Sequence, residues 1–378
     1  LHADLRDVTL ASPHLTTPLT HLTGSLEYDL LAQRLSIRQL EGHLLEDTVS
    51  SRGEIAFAPV ARLSLEVTGT LPLALLGAWL PPHGFIQHME GHAAVALHLK
   101  GALTTLQTTG QLDVREGQIR FTDSPHAVDR LAGSVLLEEG RVHLRGISFH
   151  VNGQPVTVTG ILTPGQVPRL VATVGFSQGQ LLLTSHLTPE EIVIDQAKLS
   201  LGQSQLHVSG TLSRSDAHPS ALKASGIIEL SELTDLPFFP SEALKTWKAQ
   251  GLADVEFRFQ GSVQDLAGAA IQGRVSVDRL SVHEIPLEQL LCTIEQTHHL
   301  LRIRIPLALI AGGKLVSDLT IEHSPKSRRY ALQADLTGLE LARLAQAIPA
   351  WRTRSITGNA SAHALLSGTW EERSTWGG

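Results

Sequence analysis

Short runs in which apolar and polar residues alternate dominate this chain. In one such run, Leu63, Leu65 and Val67 alternate with charged and hydroxyl-bearing neighbours. A period of two with one apolar side is typical of antiparallel strands whose other face meets water. The clearest runs place these residues on the predicted apolar face: Leu63, Leu65, Val67, Val95, Leu97, Leu99, Val142, Leu144, Val255, Phe257, Phe259, Leu301, Ile303 and Ile305.

Turn signals separate these runs at short intervals. Glu139-Gly140, Asn152-Gly153 and Gly312-Gly313 each lie between two alternating segments, as in a β-meander. The pattern predicts about twenty strands. No linker rich in Pro, Ser or Gly interrupts the chain, so residues 1–378 are expected to form one continuous segment.

One building block recurs along the chain. Leu73–Pro81 and Leu341–Pro349 share apolar residues at i, i+3 and i+7 followed by proline, which predicts two short helices. A third helix is predicted over Ser241–Gln250, after Pro240. A strand framed by glycines follows each predicted helix: Gly91–Gly101, Gly251–Gly261 and Gly358–Gly368. The repeats divide the chain approximately into units 1–101, 102–261 and 262–378.

Composition changes the interpretation of the apolar face. Aromatic residues make up only 4% of the chain, and the few predicted helices cannot cover a sheet of this size. A single sheet of twenty strands would extend roughly 95 Å and would have to twist and curl. Its apolar face would then line an elongated groove that an acyl chain could fill. Tandem β-sandwiches without a ligand are the alternative, and the pattern alone favours neither.

Charge and cysteine content exclude some classes. The net charge of −7 argues against a nucleic-acid surface, and Cys292 is the single cysteine, so no intrachain disulfide is possible. The longest apolar run, Leu71–Pro82, is too short for a transmembrane helix. The chain begins without methionine, so we expect a piece of a longer protein whose membrane anchor lies outside it.

The candidate chemical sites are weak. His88-Met89-Glu90-Gly91-His92 has two histidines four residues apart, but a zinc helix would need glutamate directly after the first histidine. His298 and His299 are adjacent, so in a strand they would point to opposite faces. No nucleophile or phosphate-loop motif is present. We therefore expect no enzyme, catalytic residue, metal site or cofactor.

A small basic cluster is the remaining candidate. Lys326, Arg328 and Arg329 follow Ser324-Pro325, which predicts a hairpin tip with a solvated loop. Contact with an anionic lipid headgroup is the alternative for these side chains.

Residues 273–345 carry a resemblance to a known family. A glycine-led strand, Gly273–Leu280, precedes Ile285-Pro286-Leu287; the strand pair Thr293–Ile305 then leads to Gly312-Gly313-Lys314. This order resembles the C-terminal region of AsmA-like proteins, and residues 331–349 look like the family's strand running into a leucine helix. Gln296–His299 departs from the family's aspartate-glycine turn. The family's N-terminal membrane helix has no counterpart in this chain.

The resemblance implies a β-groove protein of the bacterial envelope. Such proteins are anchored in the inner membrane, cross the periplasm, and are thought to carry phospholipids toward the outer membrane. One alternative is an assembly or scaffolding factor, as in the related TamB-like proteins, which would offer a free strand edge to outer-membrane proteins. A β-rich enzyme or carbohydrate-binding module is the third hypothesis, and the low aromatic content argues against it.

Overall fold

The computed structural model describes most of the chain. The described residues are 1–11, 17–58, 60–77, 86–102, 105–121, 127–213, 218–232, 249–263, 265–266, 268–282, 285–324, 327–348, 351 and 355–369. Within these ranges, 22 strands belong to one antiparallel sheet that does not close on itself, accompanied by two short helices. The prediction of a mostly β chain with a long antiparallel sheet is confirmed. Among the described residues, tandem β-sandwiches do not form, because the strands belong to a single sheet.

Contacts divide the chain into two units, Leu1–Ser177 and Gln178–Gly378. Unit 1 contains eleven strands, each paired with the next along the chain. They are β1 (His2–Leu10), β2 (Leu19–Asp29), β3 (Arg34–Leu44), β4 (Asp47–Ala56), β5 (Arg62–Pro72), β6 (Ile86–Ala102), β7 (Thr105–Phe121), β8 (Ala127–Glu138), β9 (Arg141–Val151), β10 (Gln154–Thr163) and β11 (Arg169–Phe176). Helix α1 (Leu73–Gly77) lies between β5 and β6.

Unit 2 repeats this meander arrangement with eleven further strands. They are β12 (Gly179–Leu187), β13 (Glu191–Leu201), β14 (Ser204–Ser213), β15 (Ser220–Glu229), β16 (Leu252–Gly261), β17 (Ala270–Val282), β18 (Ile285–Thr297), β19 (Leu300–Ile310), β20 (Gly313–Ser324), β21 (Ser327–Glu340) and β22 (Asn359–Thr369). Helix α2 (Leu341–Ala347) follows β21 directly.

Two-residue turns connect many of the strands. Glu139-Gly140 and Asn152-Gly153 have positive φ at both positions, as the twist of a tight hairpin requires. The predicted turn at Gly312-Gly313 is displaced by one residue: Ala311 and Gly312 form it, at φ of 45° and 81°, and Gly313 opens β20. This shift leaves Gly313 free to pair with Ile310.

Register shifts interrupt the strand pairing at several places. In β7, β8 and β9 they accompany residues with positive φ, namely Glu116, Arg130 and Gly146. An inserted residue bends a strand and increases its twist. The extra residue also changes which residues share a face. Leu144 and Ile147 of β9 both face the apolar side although they are three residues apart, because they pair with Gly160 and Val158 of β10. The bulges therefore keep one face apolar along each strand.

The two described helices agree in part with prediction. Helix α1 covers the first part of the predicted Leu73–Pro81 segment, whose last residues lie outside the described ranges. Helix α2 begins at the predicted Leu341 and ends before Ile348, which is extended. Most of the third predicted helix, Ser241–Gln250, also lies outside the described residues.

Helix α1 is held by one deeply buried side chain. Leu73 is 2% exposed, and a Cβ placed on Gly117 of β7 would lie 2.8 Å from Leu73 Cδ1 and 3.0 Å from Leu131 Cβ. Glycine at position 117 therefore leaves room for the Leu73 side chain over β7. In unit 2, α2 contacts β18 and β21, and its Ala345 is buried.

Within the described ranges, no helix has the length and hydrophobicity of a membrane-spanning segment.

Candidate apolar binding face

Unit 2 shows most clearly how the register separates the two faces of the sheet. Residues that lie directly opposite one another in an antiparallel pair point to the same face. Following Phe257 across all eleven strands gives one row of apolar residues and glycine: Leu183, Ala197, Val208, Ala224, Phe257, Gly273, Ile294, Ile303, Leu319, Leu332 and Leu366. We call the side that carries this row the unit 2 apolar face.

The neighbouring row, displaced by one residue, has the opposite character. Across β13–β22 it reads Lys198, His207, Ser225, Glu256, Arg274, Thr293, Arg304, Asp318, Gln333 and Leu365. Nine of these ten residues are polar, so the row faces water. A slip of one residue would exchange the two rows, which makes this register strongly specified.

The predicted face residues of unit 2 share the apolar face. Val255 and Phe259 each lie two residues from Phe257 along β16, so they share its face. Leu301 and Ile305 lie at the same spacing from Ile303 on β19. Val255 is 5% exposed, whereas the other five are half-buried. Glu256 and Arg258, which the pattern assigns to water, are exposed.

Unit 1 has an apolar face of its own. Through Val95, a row crosses β3–β11 that contains only aliphatic residues and glycine: Gly42, Val49, Gly69, Val95, Leu112, Val135, Leu144, Gly160 and Ala172. The predicted residues Leu63, Leu65, Val67, Leu97, Leu99 and Val142 lie on the same side. The water-facing side is less uniformly polar here, because Ile161 and Val171 are exposed opposite each other on β10 and β11.

Burial on both apolar faces is incomplete. The buried clusters lie on these faces and consist of small side chains, Val128, Val151 and Val156 in unit 1 and Ala253, Val255 and Val277 in unit 2. Elsewhere on these faces, larger residues such as Leu65, Leu97 and Ile303 keep part of their surface in contact with solvent. Since the described strands form one sheet, no second sheet within the described ranges covers these faces.

A few polar groups interrupt the unit 2 apolar face. Ser185 is 1% exposed and its hydroxyl has no partner among the described residues. Gln296 turns its amide toward the β16–β17 connection, donating to the carbonyl oxygens of Leu266 and Ala269. Burial raises the pKa of the Cys292 thiol, which lies opposite Val275. These groups are isolated and do not form a catalytic arrangement.

Ion pairs between neighbouring strands stabilise the water-facing sides. Arg34 Nη1 lies 2.9 Å from Glu54 Oε2, and Arg52 Nε donates to Glu66 at 2.5 Å. The hydrogen bond from Arg52 lowers the pKa of the Glu66 carboxyl. In unit 2, Arg302 Nε donates to both carboxylate oxygens of Asp318 at 3.0 and 3.1 Å, and this bonding lowers the Asp318 pKa.

The His88–His92 segment lies in strand β6 and has no helical geometry. His88 Nε2 contacts Glu90 Oε1 at 2.7 Å, while His92 Nδ1 contacts Asp47 Oδ2 of β4 at 3.0 Å. The two imidazoles are therefore engaged by different carboxylates. No group of three or more potential metal ligands occurs in the part of the chain that the structure describes.

The other two candidate sites lie at hairpin ends. His298 and His299 form the β18–β19 turn, with φ of 45° and 70°, so the opposite-face argument for a strand does not apply to them. The hairpin predicted at Ser324-Pro325 is confirmed by the pairing of Ser324 with Ser327. Arg329 is exposed there, whereas Lys326 and the side chain of Arg328 lie outside the described part.

Sequence reasoning missed two features of the apolar faces. The first is the contribution of strands that contain bulges or glycines, such as β7 and β17, to the apolar rows. Only the longest alternating runs were predicted to contribute. The second is the role of Gly273, where a Cβ would lie 2.4 Å from Phe257 Cε1, so that glycine leaves room for the ring of Phe257 on the next strand. A glycine inside an alternating run was the available signal for such a close approach.

Comparison of this chain with protein-family models, with curated proteins and with solved structures found no match to any of them.

Proposed function

We propose that the apolar faces bind the acyl chains of phospholipids, and that the protein carries these lipids as part of a bridge between two membranes. The observation that supports this most directly is the continuous row of apolar residues and glycine across all eleven strands of unit 2, beside an almost wholly polar row. A row of apolar side chains without directional polar groups suits a flexible hydrocarbon chain. It offers no geometry for recognising a rigid polar ligand.

Burial of hydrocarbon supplies the driving force in this proposal. Solvent-exposed aliphatic surface costs about 25 cal/mol per Å², and each methylene transferred from water contributes about 0.8 kcal/mol. Such binding is non-directional, so a chain can slide along the row without breaking hydrogen bonds. The proposed role is therefore transport, with no chemical step and no cofactor.

The cellular setting in the proposal comes from the resemblance of residues 273–345 to AsmA-like proteins. In the proposal, the protein lies in the periplasm, its inner-membrane anchor lies outside this chain, and phospholipids move between the inner and outer membranes. Periplasmic or outer-membrane proteins are the expected partners in this setting.

Lipid extraction and native mass spectrometry of the purified protein test the proposal. We expect co-purifying phospholipids that detergent exchange removes. A protein that carries no lipid, and that takes up none from vesicles, would contradict the proposal and favour the assembly-factor alternative.

Site-specific crosslinking tests which face is used. In a Cys292→Ala background, Phe257→Cys should react with a lipid carrying a thiol-reactive group on its acyl chain. Glu256→Cys, one residue away and exposed on the water-facing side, is the matched control and should not react. Replacing Cys292 is necessary because the native thiol lies on the same apolar face. Equal labelling of both cysteines would contradict the face assignment.

A further inference from the structure

An unmatched pair of cations lies on the water-facing side of unit 2. Lys223 of β15 is directly opposite Arg258 of β16, and both side chains are exposed. Like charges directly opposite each other in an antiparallel pair destabilise the pairing. Elsewhere on these surfaces, cations meet carboxylates of neighbouring strands, as in Arg34–Glu54 and Arg302–Asp318.

Carboxylates nearby neutralise this pair only weakly. The Arg258 guanidinium reaches Glu256 Oε1 at 3.4 Å, and these two side chains are 62% and 59% exposed. No carboxylate of the described residues forms an ion pair with Lys223. Glu256 is itself directly opposite a third cation, Arg274 of β17. Glu256 is therefore shared between two arginines, Arg258 and Arg274.

Two adjoining hollows open at the cation pair. One of about 660 Å³ and another of about 430 Å³ share Ser209, Lys223 and Arg258 in their walls. Gln260 and Gln272 add amide groups to the larger hollow. Glu295, the acidic residue in the wall of the larger hollow, is opposite Gln272, two strands from Arg258, and faces Arg304 at 3.9 Å. The smaller hollow has Glu256 and Asp195 in its wall, and Asp195 pairs with His186 at 2.7 Å.

We propose that Lys223 and Arg258 form a binding site for a phosphate group, with Ser209 and Gln272 donating further hydrogen bonds. A dianionic phosphate would remove the repulsion between the two cations, and charge-assisted hydrogen bonds are the strongest that these side chains can make. The guanidinium of Arg258 can bind two phosphate oxygens, and Lys223 supplies a point charge beside it. The site is on the side of the sheet opposite the apolar face, so this inference does not depend on lipid binding there.

The phosphate group could belong to a soluble phosphate ester or to an anionic lipid headgroup. Calorimetric titration with inorganic phosphate and glycerol 3-phosphate tests the first source. Co-sedimentation with phosphatidylcholine vesicles, with and without phosphatidylglycerol, tests the second. Binding in either assay identifies the source, provided that it depends on the two cations. Absence of binding in both assays would overturn the proposal.

The variant Lys223→Glu gives the sharpest test, because it should weaken phosphate binding without lowering the stability of the fold. It places a carboxylate opposite Arg258, so the melting temperature should stay the same or rise. Phosphate binding should weaken at least about tenfold, which corresponds to the loss of one charge-assisted contact. Arg258→Gln should weaken binding similarly.

Arg34→Gln is the matched control, since it removes an exposed cation that Glu54 already neutralises in unit 1. It should leave phosphate binding unchanged. Equal losses in Arg34→Gln and Arg258→Gln, which each remove one positive charge, would show that net charge alone governs binding and would overturn the site. Unchanged binding in Lys223→Glu would overturn it as well.

Discussion

A single carboxylate placed on the apolar face of unit 1 separates lipid binding from folding. Leu97 of β6 lies between Val67 of β5 and Gly110 of β7, and its side chain is half-buried. We predict that Leu97→Asp abolishes lipid binding at this position and leaves unit 1 folded. A charge that a passing acyl chain would have to desolvate interrupts the aliphatic row.

The stability cost follows from the surroundings of Leu97. Full burial of a leucine contributes about 1.5–3 kcal/mol, and Leu97 realises only part of this because it keeps contact with solvent. Gly110, which is directly opposite Leu97, carries no side chain, so the new carboxylate has space for hydration. We therefore expect a loss of about 1–3 kcal/mol in the free energy of unfolding. In a closed core, an unpaired buried charge would cost about 3–5 kcal/mol.

Ala96→Asp is the matched control, because Ala96 precedes Leu97 and is exposed between Thr68 and Gln111 on the water-facing side. It should change stability by less than about 1 kcal/mol and leave lipid binding intact. Ile303→Asp repeats the test in unit 2.

The assay pairs thermal unfolding with native mass spectrometry of bound lipid on the same preparation. The expected result is lost lipid with a melting temperature lowered by no more than several degrees, given roughly 2–4 °C per kcal/mol for units of this size. Full lipid occupancy in folded Leu97→Asp would contradict the prediction. Unfolding of this variant would instead show that the apolar face is covered.

Three further changes test the structure itself. Leu73→Ala should lower the free energy of unfolding by about 2–3 kcal/mol in denaturant titrations, because Leu73, the first residue of α1, is 2% exposed, whereas Leu31→Ala, at a 99% exposed position, should have no effect. Asp318→Asn should cost up to about 1 kcal/mol at pH 7, since the bond from Arg302 is partly screened by solvent. The lowered Asp318 pKa means that the stabilisation is present above the ordinary carboxyl pKa and is lost as pH falls through the folded value, so both proteins should converge at strongly acidic pH. Ser204→Ala should cost about 1–3 kcal/mol, because the buried Ser204 hydroxyl donates to Glu232 and accepts from the Glu229 amide; a loss below about 0.5 kcal/mol would contradict this role.

Local alternation along the chain is enough to define the strands and the character of their two faces. Alternation has a period of two, so apolar residues such as Leu63, Leu65 and Val67 had to share one side of β5 wherever that strand paired. Turns such as Asn152-Gly153 are also specified locally, because these two residue types tolerate the positive φ that a tight hairpin requires. All fourteen predicted face residues consequently lie on the apolar face of their own unit.

Which residues of different strands become neighbours depends on how the whole sheet is assembled. The histidines of the His88–His92 segment look paired in sequence, but Asp47, 45 residues away, engages His92. Gly117 is important because the Leu73 side chain packs against it, and these residues are far apart in sequence. Arg258 lies opposite Lys223, 35 residues earlier, and no local pattern specifies the register that pairs them. Alternation specifies a face within one strand, whereas register, bulges and the approach of a helix depend on energies summed over the whole sheet.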